Sequence, residues 1–294
     1  MELWKKNPGG PVLGGRLGTC FDVSLLQNGA ELLLYFSWRD KRSIAVCRGT
    51  DGLHWSEPVL CLSPDPARED DVNRPAVCRK DGIYHMWYTS QIQAGRNGGT
   101  SVIAHAVSTD GITFTRSGQA PVLVPELPWE KQAVMCPCVL WDEGRKCYRM
   151  WYSGGEQFEP DAIGYAESPD GNRWVKSPRN PVFVADPAVP WERHKVTACQ
   201  VFPYGDEYRM FYIGFFDENR AQISTARSKD GITGWQRSAR NPIVSPTPGG
   251  WDADACYKPF VLPVGGRWML WYNGRRGPVE QIGAAVCDSQ ELPF

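Results

Sequence analysis

Carboxylates, cations and amides gather at two kinds of place in this chain. Asp22, Asp70, Asp71, Asn73, Arg74, His194, Lys195, Asp254, Tyr257 and Lys258 lie at or just before short apolar runs. Trp38, Arg39, Asp40, Gln91, Glu156, Gln157, Asp217, Glu218, Arg275 and Arg276 lie just after aromatic ones. Acid–base chemistry needs two carboxyl groups in unlike surroundings, one keeping its proton and one ionised. Asp71 stands three residues before Arg74, and a nearby guanidinium would lower its pKa and hold it as a base or charge-setting group. Glu156 follows Gly154-Gly155 and precedes Phe158, a loop setting in which partial desolvation would favour the proton-donor role. Asp22 is the third candidate acid. Each has a structural reading as well: Asp70 and Asp71 as turn caps, Glu156 as a solvated charge, Asp22 as a group packed between strands.

The elements that must position these residues are set out by a repeat of about 55–65 residues. Its aromatic strands are Leu32–Ser37, Tyr84–Thr89, Tyr148–Ser153, Tyr208–Ile213 and Trp268–Asn273. A shorter apolar strand precedes each, as in Phe21-Asp22-Val23, Pro75-Ala76-Val77, Pro137-Cys138-Val139, Cys199-Gln200-Val201 and Pro259-Phe260-Val261. Third strands such as Ile103–Ser108 and Ile163–Ser168 end in Asp-Gly turns at Asp110-Gly111, Asp170-Gly171 and Asp230-Gly231, with Asp51-Gly52 as a variant. Asp-Gly supplies the positive φ of a tight turn. Fourth strands are expected at Pro58–Leu60, Pro121–Leu123, Pro181–Phe183 and Pro242–Val244, where an edge strand can spare a proline's missing N–H. The fifth copy ends without one, and Gly10-Pro11-Val12-Leu13 carries the missing pattern. The prediction is an all-β, five-bladed β-propeller of four-stranded blades, residues 1–294 as a single domain, its ring closed by the N-terminal strand completing the last blade. Trp129-Glu130, Trp191-Glu192 and Trp251-Asp252 recur at one place in the repeat, so these pairs are read as structural.

Composition narrows the function classes. The chain has 294 residues and a formal net charge of −1, with no Lys/Arg run to follow a phosphate backbone, so no nucleic-acid partner is expected. No apolar run approaches membrane-spanning length, and Met1–Pro8 lacks a secretion-signal core; the expected setting is cytoplasmic, with no membrane partner. Most of the ten cysteines fall in apolar strands and read as buried free thiols. Cys136-Pro137-Cys138 has no second ligand pair nearby, and His54, His85, His105 and His194 are scattered, so neither metal nor cofactor is expected.

The Met-Trp-Tyr strands and the turn Ser168-Pro169-Asp170-Gly171-Asn172-Arg173-Trp174 give the chain a resemblance to the five-bladed glycosidase superfamily, glycoside hydrolase families 43, 32, 68 and 130. The resemblance implies a central funnel ringed by acids from the first strands of successive blades. Asp22 matches in the first blade and Asp70-Asp71 lead into the second, whereas the third has Met135-Cys136-Pro137 and no Glu. A glycoside hydrolase is therefore expected, exo-acting on a small glycoside or oligosaccharide, with Asp22, Asp71 and Glu156 as catalytic candidates. Trp38, Asp70, Asn73, Arg74, His194, Asp217, Asp254, Lys258 and Arg275 are the candidate substrate-binding residues. Phosphorolysis of the family 130 type, with inorganic phosphate held by Arg74, Lys258, Arg275 and Arg276, and a non-catalytic glycan-binding propeller are the alternatives. Oligomeric state has no signature here.

Overall fold

The computed structural model describes residues 3–94, 98–158 and 160–294. After a short β1 (Lys5–Lys6), the described strands fall into five antiparallel meanders. The first comprises β2 (Cys20–Asn28), β3 (Glu31–Trp38), β4 (Ser43–Gly49) and β5 (Val59–Leu62). The second comprises β6 (Asp71–Lys80), β7 (Ile83–Ile92), β8 (Thr100–Ser108) and β9 (Thr115–Arg116). The third has β10 (Ala133–Asp142), β11 (Cys147–Gly155), β12 (Pro160–Ser168), β13 (Val175–Lys176) and β14 (Phe183–Val184). The fourth has β15 (Lys195–Tyr204), β16 (Glu207–Phe215), β17 (Ala221–Ser228) and β18 (Gln236–Arg237). The last has β19 (Ala255–Val264), β20 (Arg267–Arg276) and β21 (Val279–Cys287).

The expected fourth strand is full only in the first meander. Later copies shrink to two-residue pairings and single bridges, Leu123 to Ile103 and Val244 to Ile223. Their prolines supply no N–H, and the contact is carried by the residue after each: Val122 N–H donates to Ile103 O at 2.8 Å, Val182 to Ile163 at 2.9 Å and Ile243 to Ile223 at 2.8 Å. The N-terminus repeats this in the last meander, where Val12 N–H donates to Ile282 O at 2.7 Å and β1 pairs antiparallel with β21.

Neighbouring meanders are joined by side chains that recur in three of the five copies. Trp87, Trp151 and Trp271, all fully buried, donate from Nε1 to the glycine carbonyl of an Asp-Gly turn: Gly171 at 2.8 Å, Gly231 at 2.7 Å and Gly52 at 2.8 Å. The turn glycine must be glycine twice over, since Gly171 has φ +78° and a Cβ there would sit 2.8 Å from the Trp87 ring. The Trp-acid pairs are structural, as expected. Fully buried Glu130, Glu192 and Asp252 accept from the hydroxyls of Tyr152, Tyr212 and Tyr272. Each also meets a cation, Lys176 at 2.7 Å, Arg237 at 2.5 Å and Lys6 at 2.5 Å. A buried carboxylate is tolerated only when so paired. All ten cysteines are free thiols.

Candidate functional site

Each first strand breaks its register at one point: between Phe21 and Ser24, Asn73 and Ala76, Met135 and Cys138, Thr197 and Cys199, and Tyr257 and Phe260. At each of these bulges stands a non-glycine residue with positive φ: Asp22 (+50°), Arg74 (+55°), Cys136 (+53°), Ala198 (+38°) and Lys258 (+38°). Bulges re-aim side chains, and such backbone is held only where its surroundings enforce it. The enforcing groups come from the second strand of a neighbouring meander. Ser37 Oγ accepts from Arg74 N–H at 2.7 Å, Thr89 Oγ1 from Cys136 at 3.1 Å, Ser153 Oγ from Ala198 at 2.8 Å and Asn273 Oδ1 from Asp22 at 3.3 Å. The equivalent residue facing Lys258 is Ile213, which has nothing to accept with.

Four of these bulge residues, Asp22, Arg74, Cys136 and Ala198, line a cavity of ≈ 250 Å³. Phe21, Phe158, Phe215 and Tyr257 give it apolar and aromatic wall, and Arg39, Lys195, Arg275, Glu218 and Glu280 give it charge. Asp22 is buried, with Oδ2 3.1 Å from Arg74 Nε. The Arg39 guanidinium lies 4.4 Å from the centre of the Phe21 ring and 3.6 Å from Glu280 Oε1. Asn273 joins the two acids, accepting from the Asp22 backbone and donating to Glu280 Oε2. Burial, with the Asp22 charge adding to it, raises the pKa of Glu280 above its ordinary value, against the pull of Arg39, Arg74 and Asn273. Two carboxyl groups in unlike surroundings thus face one cavity.

Asp71 lies beside this cluster and does not itself line the cavity. Its Oδ1 accepts from Asn73 Nδ2 at 2.8 Å, and the same amide donates to Gln91, which does line it. The expected lowering of its pKa is reversed: burial outweighs Asn73, Arg74, Arg39 and Arg42, and the pKa is raised. Lys195 is buried against Phe215, its ammonium 4.4 Å from the ring centre, and burial lowers its pKa to about 8. Arg275 donates to Tyr257 Oη at 3.1 Å.

The remaining candidates stand outside the cavity wall. Glu156 is exposed on the loop beside it, 3.8 Å from Lys131 Nζ. Asp70 is exposed and accepts from Ala94 N–H at 3.2 Å, a loop contact. Trp38 donates to Leu17 O at 2.6 Å and packs on Phe36. Asp254 accepts from Gly277 N–H at 2.7 Å beside Arg275. His194 and Asp217 line a shallow depression of their own with Arg193 and Phe216. Lys258 lines a separate cavity. The residue that sequence reasoning missed is Glu280, placed just past the last loop, at the second position of β21. Its signal in the sequence is an acid at the start of a third strand.

Comparison with known proteins agrees with this architecture. Residues 45–192 match the model of the glycosyl hydrolases family 32 N-terminal domain. An uncharacterised protein of Mycobacterium tuberculosis H37Rv is 27% identical over 300 residues, covering 96% of each chain. A solved glycoside hydrolase superposes with a TM-score of 0.78 at 17% identity, covering 98% of this chain and 93% of its own. A thermostable family-43 glycoside hydrolase does so with a TM-score of 0.71 at 17% identity, covering 96% and 91%.

Proposed function

We propose that this chain, which belongs to the glycosyl hydrolases of the family 32 N-terminal domain type and shares the fold of family-43 glycoside hydrolases, removes one terminal sugar from a small glycoside or oligosaccharide. In this reading the five meanders form one closed, five-bladed ring around the cavity. Contacts between last and first meanders support it: Trp271 on the Gly52 turn, Asn273 on the Asp22 bulge, and the N-terminal residues on β21. The cavity is smaller than the roughly 300–1,000 Å³ usual for small-molecule sites, which favours one sugar ring over a polymer groove.

The observation that carries the mechanism is the pairing of Asp22 with Glu280 across Asn273. Glycosidic cleavage needs a proton donor to the leaving oxygen and a carboxylate to act as nucleophile or to activate water. Asp22, ion-paired with Arg74, takes the carboxylate role; Glu280, its pKa raised, holds the proton to be donated. Asp71 sets the charge beside them through Asn73. Phe21, Phe158 and Tyr257 offer ring faces to the sugar, and Lys195 and Arg275 bind its hydroxyls.

A second reading rests on the four cations of the wall, Arg39, Arg74, Lys195 and Arg275, which would hold inorganic phosphate as the attacking group. One experiment covers both: turnover of a panel of aryl furanosides and pyranosides, with and without phosphate, by the wild type, Asp22→Asn and Glu280→Gln. The expected result is turnover independent of phosphate and reduced at least about 10²-fold by either substitution. Phosphate-dependent turnover would establish phosphorolysis, and full activity in both variants would remove these two acids from the mechanism.

A further inference from the structure

Lys258 occupies the fifth bulge position, but it does not line the cavity that the other four bulge residues share. It lines a second cavity of ≈ 140 Å³, walled by Val23, Ala76, Pro137, Leu140 and Phe260 together with the thiol-bearing Cys138 and Cys199. The residue is only 3% exposed. Among the described residues no carboxylate ion-pairs with Lys258 and no acceptor takes a hydrogen bond from its ammonium. The titratable groups that its charge reaches are the thiols of Cys136, Cys138 and Cys199, and burial raises the pKa of all three, so they are neutral neighbours. The Lys258 side chain lines this cavity with no counter-charge beside it, and a cation so placed attracts an anion.

We propose that this cavity is a binding site for one monovalent anion, held by the Lys258 ammonium, with the thiol S–H group of Cys199 as a weak donor. The apolar wall disfavours a phosphate or sulfate, whose several charges would need several donors. The volume exceeds that of a single water, about 30 Å³, and admits either a halide with a water or a short aliphatic carboxylate. Both have the same chemistry, a single negative charge opposite one ammonium. The site is separate from the cavity of Asp22 and Glu280, so it stands or falls independently of the glycosidase mechanism.

The test is thermal unfolding of the full chain at constant ionic strength, with chloride or butyrate replacing bulky gluconate, for the wild type and Lys258→Met. A ligand that binds only the folded state raises stability with concentration. Chloride or butyrate is expected to raise the wild-type Tm by at least about 2 °C, and the rise is absent in Lys258→Met. A rise with chloride alone identifies a halide site; one with butyrate identifies a carboxylate site. Crystals soaked in bromide provide a reading that does not depend on the variant's folding, through an anomalous peak beside Lys258 Nζ or its displacement by butyrate. A wild-type Tm indifferent to both anions with no bromide peak, or a rise that persists in Lys258→Met, overturns the proposal.

Discussion

At the residue scale, burial decides which acids keep their protons. Asp71 and Glu280 each face arginines, yet desolvation outweighs the attraction and both carboxyl groups have raised pKa values. For Glu280 the linkage to stability has a definite sign. A carboxyl group with a raised folded-state pKa binds its proton more tightly folded than unfolded, so stability falls as pH rises from the ordinary 4.5 through the raised value. Glu280→Gln removes that loss. Its Tm at pH 7 is expected to equal or exceed the wild type's, the advantage vanishing near pH 4, while turnover collapses. Thermal melts at both pH values check this, and a lower Tm at pH 7 would mean that the ionised carboxylate stabilises the fold. In the same reading the wild-type kcat declines as pH rises through the Glu280 pKa, because the proton donor is lost.

At the element scale, the bulges depend on second-strand hydroxyls. Ser37 and Ser153 are buried and accept from the N–H groups of Arg74 and Ala198. Replacing either with Ala leaves a buried N–H unsatisfied, a cost of about 1–3 kcal/mol by urea unfolding. The two should differ in activity: Ser37→Ala loosens Arg74 against Asp22 and lowers kcat, whereas Ser153→Ala, which frees only a methyl-bearing bulge, leaves kcat near wild type. Equal kcat losses would refute the assignment of Arg74 as the group that holds Asp22. The repeated positions Ser37, Thr89, Ser153 and Asn273 were visible in the sequence as the ends of aromatic strands. Their role was not, because the acceptor and the bulge it serves lie in different meanders.

At the scale of the whole molecule, the N-terminus completes the last repeat in chemistry as well as in pairing. Lys6 provides Asp252 with the cation that Lys176 and Arg237 provide in earlier copies, and Trp4, 2% exposed, packs edge-on to Phe211 at 6.1 Å. Lys6→Met strands a buried carboxylate and Trp4→Ala opens a cavity, each at a cost of about 3–5 kcal/mol. Denaturant midpoints measure this, and losses like those of ordinary surface substitutions, within about 0.5 kcal/mol, would show the N-terminus to be a loose appendage. The sequence by itself determined the all-β class, the five repeated units, the structural role of the Trp-acid pairs and the pairing of Pro11–Leu13 with the last unit. All of these rest on local patterns: period-two strands, Asp-Gly turns and the recurrence of one unit. Only the tertiary structure brought the residues of the candidate site together. Asp22 and Arg74 from successive repeats meet Glu280 from the far end of the chain, and Glu156, Trp38 and His194 are left outside the cavity wall. Which way a bulge turns a side chain, and what burial does to its proton, depends on residues distant in sequence that no local pattern records.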